Sequence, residues 1–178
     1  MPVTPPLHPA LVHLPLGAAL VVPLVALGLT VALWRGRWPT GVWSIVVGLQ
    51  VLVVGGGMMS MRTGEEAEHQ VRRALPETRS FIHEHEERAK AFMGGAFTVL
   101  LLSAGVLVAR NKPAVARGLT VASTLGALGV AGLGMNAGKA GGELVYEHNA
   151  AAAYATSAQA PAATPAPGGA PVAADHDD

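Results

Sequence analysis

Residues 62–90 read RTGEEAEHQVRRALPETRSFIHEHEERAK, a densely charged stretch that separates two long apolar parts of the chain. The stretch carries three of the seven histidines, and Pro76 is the only strong helix breaker between Gly64 and Lys90. Proline is favourable in the first turn of a helix but not in its interior. We therefore predict two charged helices that turn near Pro76 and continue into the apolar parts on either side.

The composition of the chain indicates a lipid environment. Of its 178 residues, 51% are hydrophobic and 13% are charged, against roughly 25% charged in an ordinary soluble domain. Four apolar runs, 11–34, 42–61, 91–109 and 115–135, are each long enough to cross a hydrocarbon core of roughly 30 Å as a helix. The predicted fold class is all-α: an integral membrane four-helix bundle over residues 1–149, with helical extensions at one face. Residues 150–178, rich in Ala and Pro, are predicted to be a disordered tail.

Positive charges predict the orientation of the bundle. The short connections, 35–40 and 110–113, lie on one side of the membrane, and both termini and the charged hairpin lie on the other. The short-connection side carries five basic residues and no acid, namely Arg35, Arg37, Arg110, Lys112 and Arg117, whereas the hairpin side carries five Arg and one Lys within residues 62–90, together with seven acids. The positive-inside rule then places the hairpin and both termini outside, here of a bacterial inner membrane. Trp34, Trp38 and Trp43 lie near the short-connection boundary and are predicted to form an aromatic belt.

Glycine spacing predicts which helix faces pack together. Small residues recur every seven positions in the second span and every four in the fourth, namely at Gly41, Gly48 and Gly55 and at Gly118, Ala122 and Gly126. Small residues at such spacings let helix backbones approach closely. The glycine-rich run 136–142 follows the fourth span, so we predict that its helix ends near there.

Six of the seven histidines are predicted to lie at the outer face. His8 is interpreted as a residue that fixes the start of the first helix before Pro9, whereas an ionisable residue at the edge of an apolar span, such as His13, is a functional candidate. Imidazole together with carboxylate suits zinc, copper or iron. The predicted metal ligands are His13, Glu66, His69, His83, His85 and His148, and the predicted haem b ligands are His13, His69, His83 and His85.

Surface ion pairing is the simpler explanation for part of the charge. Three acid–base pairs are four residues apart with the acid first, an order that stabilises helices: Glu68 with Arg72, Glu84 with Arg88 and Glu86 with Lys90.

The absence of cysteine excludes thiolate ligands, and equal numbers of acidic and basic residues give no net charge to suggest a nucleic-acid partner.

Two functional hypotheses follow from this pattern. The first is a membrane protein that binds a metal ion or haem for electron transfer or metal handling, with a redox protein or other membrane subunits as partners. The second is a cofactor-free accessory or scaffold subunit whose glycine faces pack against a partner or a second copy. A metal-assisted hydrolase is a third and weaker hypothesis, so the sequence does not favour an enzyme.

Three stretches of the chain resemble a known family. They are His8-Pro9-Ala10-Leu11-Val12-His13-Leu14-Pro15-Leu16, the His85-Glu86-x-x-Ala89 region, and Gly141-Gly142-Glu143-Leu144-Val145-Tyr146-Glu147-His148. These resemble the bacterial membrane-protein family called domain of unknown function 2231, over about residues 7–149. The resemblance implies four membrane helices with histidine-bearing motifs at their ends, and it implies no activity. The chain departs from the family at Leu14, where an aromatic is usual, and at Asn149, where glycine is expected.

Overall fold

The computed structural model describes residues 7–154, and these residues form a helical bundle. Its α-helices are α1 (His8–Leu11), α2 (His13–Trp34), α3 (Ser44–Ala74), α4 (Arg79–Val108) and α5 (Pro113–Tyr146). Single 3₁₀ turns at Thr40–Trp43, Pro76–Thr78 and Ala109–Asn111 connect the long helices. The turn at Pro76 confirms the predicted hairpin between α3 and α4.

The four long helices form a closed ring in which each helix packs against two neighbours. Helix α2 contacts α3, α3 contacts α4, α4 contacts α5, and α5 returns to α2. Because the connections are short, consecutive helices run antiparallel. Four helical segments are long and apolar enough to cross a membrane: His8–Trp34, Thr40–Ala74, Pro76–Asn111 and Pro113–Tyr146. The predicted all-α membrane bundle is therefore confirmed.

The bundle has a core of small side chains and a surface of large ones. Alanine and valine dominate the buried positions, among them Ala26, Val53, Ala96, Val106 and Ala127. Large apolar side chains point outward, among them Leu24, Leu101, Leu125, Leu128 and Met135. An apolar surface this extensive is rarely left facing water, so it fits contact with lipid.

The predicted glycine faces are largely wrong. Gly41, Gly48 and Gly55 are exposed, and nothing lies within 4 Å of a Cβ built on any of them. Packing instead uses the adjacent face of α3, where Gly56 contacts Pro15 of α2 and Gly57 contacts Met93 of α4. On α5 the predicted stripe contributes only Gly126, which packs against Val99 of α4, whereas Gly118 and Ala122 are exposed. A seven-residue repeat identifies one face of a helix but does not say which neighbour covers it.

Helix α5 also continues beyond its predicted end. It passes through the glycine-rich run and ends at Tyr146. Gly134 packs against Phe92 and Leu16, and Ala137 and Ala140 are buried. Tertiary packing on both sides thus stabilises a helical segment that glycine content alone disfavours.

Trp43 does not belong to the predicted aromatic belt. Trp34 and Trp38 are each 53% exposed, as the belt requires, but Trp43 is fully buried in the core.

The packed region extends a few residues into the predicted tail. Ala150 and Ala153 are buried against Val71, Ile82 and Leu144, and burial raises the pKa of the neighbouring Tyr154 hydroxyl. This segment therefore covers the end of the α3–α4 hairpin. The remainder of the predicted tail, 155–178, lies outside the described residues.

We expect Ala153→Arg to release this C-terminal segment, because Ala153 is only 3% exposed and a buried unpaired charge is costly. Limited proteolysis in detergent should then cleave between residues 146 and 155 faster than in the unmodified protein. Ala151→Arg is the matched control, since Ala151 is exposed. Equal cleavage of the two variants would show that the segment is not docked.

Candidate functional site

His8 and His85 form a half-buried pair at the hairpin end of the bundle. Their ring centroids lie 6.3 Å apart, with the rings edge to face at 75°. His8 begins α1, which packs against α3, and His85 lies on the hairpin extension of α4. Since α3, α4 and α5 all contribute to the surroundings of the pair, the ring positions are set by tertiary packing.

The Nδ1 of each imidazole is hydrogen-bonded to a helix carbonyl, and the Nδ1 of His8 has the Thr63 hydroxyl as a second, more distant neighbour at 3.5 Å. The Nδ1 of His8 lies 2.8 Å from the Ser60 carbonyl oxygen of α3, and the Nδ1 of His85 lies 3.1 Å from the Ala137 carbonyl oxygen of α5. A carbonyl oxygen can only accept, so Nδ1 is the donor in both rings. The neutral rings therefore carry their lone pairs on Nε2. Among the described residues, neither Nε2 has a hydrogen-bond partner.

Two helix-interior glycines make room for the two rings. A Cβ at Gly64 would lie 3.0 Å from Cε1 of His8, and a Cβ at Gly141 would lie 3.1 Å from Cε1 of His85. A mid-helix glycine costs about 0.5–1 kcal/mol relative to alanine. The close approach of each ring explains why glycine occupies these two positions.

Electrostatics favours the neutral form of His85. Its position is outside the apolar span that begins at residue 91, among side chains that carry charge. Burial lowers the pKa of His85, and the nearby His8 and Arg88 lower it further, while the hydrogen bond to Ala137 opposes them. The lone pair on Nε2 is therefore available at neutral pH, the state that a metal ligand needs.

The six predicted metal ligands are not brought together. His13, Glu66, His69 and His83 are exposed. His83 lies 3.8 Å from Glu86, with its own side chain 67% exposed. His148 stacks on Phe81 with the ring centroids 3.6 Å apart. Within residues 7–154 no group of three or more His, Asp or Glu side chains is placed to hold a metal ion. Of the predicted ligands, only His85 enters the pair.

The three predicted ion pairs of the hairpin are present. Glu68 pairs with Arg72 at 2.5 Å, Glu86 pairs with Lys90 at 2.9 Å, and Glu84 pairs with Arg88. All are partly exposed, and exposed pairs of this kind stabilise a helix only weakly. These groups therefore support a solvated hairpin surface.

Sequence reasoning missed the role of His8. The helix start before Pro9 accounts for the position of His8 in the sequence but not for its contacts. The contacts of His8 lie on Ser60, 52 residues later, and on Gly64. The only local sign of this packing in the sequence is Gly64, a glycine inside a charged helical segment. A glycine there does not show which residue packs against it.

We expect Gly141→Leu to push His85 off the Ala137 carbonyl. Overpacking of this kind lowers the free energy of unfolding by about 1–3 kcal/mol. Thermal unfolding in detergent and the ¹⁵N chemical shift of the His85 Nδ1 would report the two effects. The matched control is Gly142→Leu, because nothing lies within 4 Å of a Cβ at Gly142. Equal effects of the two substitutions would contradict the packing of His85 on Gly141.

Comparisons with known proteins do not identify a relative. The sequence matches no protein-family model, and neither a curated protein nor a solved structure matches it. The resemblance to domain of unknown function 2231 therefore stays a prediction. The three stretches that carry this resemblance nevertheless meet in space, because His8 belongs to the first, His85 to the second and Gly141 to the third.

Proposed function

We propose that this integral membrane protein binds a transition-metal ion or a haem iron through His8 and His85, for electron transfer or metal handling. The observation that supports it is the matched tautomer of the two rings. Each ring donates its Nδ1 proton to a backbone carbonyl and leaves Nε2 without a partner among the described residues. Metal-binding histidines commonly have this arrangement, because the hydrogen bond orients the ring and raises its basicity.

Two imidazoles favour certain kinds of centre over others. Structural zinc sites are almost always four-coordinate with protein ligands, so a pair of histidines is too small a set for one. Copper, iron and exchangeable zinc accept imidazole together with water or other small ligands. A haem iron takes two axial histidines.

The first experiment measures the composition of the purified protein in mild detergent. Visible spectra of the oxidised and reduced protein and metal analysis by mass spectrometry are recorded on one sample. A Soret band that sharpens on reduction supports haem, and stoichiometric copper, zinc or iron without that band supports a metal ion. If neither signal is seen after haem and metal supplementation during expression, the proposal is overturned.

We further propose that the pair faces outward from a bacterial inner membrane. The support is the excess of basic over acidic residues at the short connections. The chain has no cysteine, so single-cysteine variants can be labelled cleanly. With an impermeant thiol reagent on intact cells, Glu77→Cys should react and Arg37→Cys should not, as both positions are exposed. The reverse labelling pattern would show that the histidine pair faces the cytoplasm.

The accessory-subunit hypothesis has one observation in its favour. The stripe Gly41, Gly48 and Gly55 is exposed on the lipid-facing side of the second membrane segment. Small residues at that surface would allow a second helix to approach closely. Oxidation of a Gly48→Cys variant in native membranes would yield a covalent dimer if a second copy packs there. Its absence, together with a bound metal, would favour the metal-binding function alone.

A further inference from the structure

A groove lies between α2 and α5 near the short-connection end of the bundle, far from the histidine pair. It has a volume of about 400 Å³ and is lined by Thr30, Val31, Trp34, Arg35 and Val121. The groove is open toward the surface of the bundle. Its walls are mostly apolar, and Arg35 contributes the only charge among the lining residues.

The register of the two helices places a second arginine, Arg117, toward the same end of the bundle as the groove, although Arg117 is not among the residues that line it. The Thr30 and Thr124 hydroxyls are hydrogen-bonded at 3.0 Å, which fixes α2 against α5. Arg35 lies five residues after Thr30 on α2, and Arg117 lies seven residues before Thr124 on α5. At 1.5 Å per residue these are about 7.5 Å and about 10.5 Å in the same direction. Arg117 also shares a face with the groove residue Val121, four positions later.

No acidic side chain neutralises these two arginines. Both are exposed, and neither makes an ion pair within residues 7–154. The sequence has no Asp or Glu between residues 88 and 142 or before residue 65. The exposed Trp34 precedes Arg35 at the end of an apolar run, a position where tryptophan commonly meets lipid headgroups.

We propose that this groove binds an anionic phospholipid. One acyl chain occupies the apolar part between Val31 and Val121, and the headgroup phosphate lies between Arg35 and Arg117. Guanidinium groups pair well with phosphate oxygens, often through two hydrogen bonds at once. Basic pockets between membrane helices are known to select anionic headgroups. A zwitterionic lipid offers the same chains, but its own cation weakens the attraction to two arginines. The proposal does not depend on the metal site.

Native mass spectrometry of the full chain tests the proposal. The protein is released from detergent after incubation with phosphatidylglycerol or with phosphatidylcholine, and bound lipids are counted. The unmodified protein should retain phosphatidylglycerol in preference to phosphatidylcholine. Arg35→Gln and Arg117→Gln should each reduce retention about ten-fold or more, as expected for the loss of a hydrogen bond to a charged group.

Two further variants separate the groove from general surface charge. Arg110→Gln removes a charge on the same side of the membrane from the turn between α4 and α5, which contributes no residue to the groove lining, and it should leave retention unchanged. Val121→Trp keeps every charge and fills the groove, so it should abolish preferential retention. Equal retention of both lipids by the unmodified protein would overturn the proposal. So would unchanged retention in Val121→Trp, or an equal loss in Arg110→Gln and Arg35→Gln.

Discussion

Replacement of His85 by Ala is expected to abolish metal or haem binding while the bundle stays folded. The substitution removes one of the two imidazoles whose Nε2 atoms face no partner among the described residues. Loss of a residue that only orients a metal ligand already weakens binding by about 10–100-fold, and loss of a ligand should exceed that. His8→Ala should have the same effect, because neither ring alone supplies two ligands.

The control for this prediction is His83→Ala. His83 lies two residues from His85 on the same helix, but its side chain is exposed and close only to Glu86. Metal stoichiometry and the visible spectrum should be unchanged in this variant and lost in His85→Ala. Circular dichroism and thermal unfolding of each variant would show that the helices persist. Retained metal or haem in both His8→Ala and His85→Ala would exclude the pair as the binding site.

The largest effect on stability is expected from Gly126→Leu. A Cβ at Gly126 would lie 2.7 Å from Cγ2 of Val99, a distance that side chains do not tolerate. Val99 is β-branched and buried, so its rotamer cannot move the methyl group away easily. Helices α4 and α5 would have to separate. Overpacking of this kind lowers the free energy of unfolding by about 3 kcal/mol, the upper part of the usual range.

Gly129→Leu is the matched control, one turn further along α5. Gly129 is exposed, and nothing lies within 4 Å of a Cβ built there. A leucine would extend into lipid and replace a poor helix former with a good one. Unfolding in detergent, followed by circular dichroism, should show a much lower midpoint for Gly126→Leu than for Gly129→Leu. Similar midpoints would mean that α4 and α5 are not packed at Val99.

Features that depend on neighbours along the chain were predictable. The three ion pairs of the hairpin follow from a four-residue spacing on a helix, and the turn at Pro76 follows from the missing N–H of proline. Features that depend on partners in space were not predictable. The spacing of Gly48 and Gly55 was correct as a helix face, yet that face is exposed, and the adjacent face with Gly57 packs on Met93.

The histidines show the same division most clearly. Sequence reasoning selected His13, His69, His83, His85 and His148, because topology places them near one membrane face. Helical rotation then decides which of them point inward, and a shift of one residue turns a side chain by about 100°. His85 points toward α5 and meets the Ala137 carbonyl, whereas His83 points to solvent.

The sequence by itself determined four apolar helices, a charged hairpin and a group of histidines near one end, because hydropathy and local spacing act over a few residues. The tertiary structure alone decided that His8 meets His85 and that Gly64 and Gly141 accommodate them. It also set the register of α2 against α5 through the Thr30–Thr124 hydrogen bond, which places Arg35 in the groove lining and Arg117 toward the same end of the bundle. The physical reason is that helix rotation and register are set by packing between segments far apart in the chain, and a one-residue change in either separates these groups.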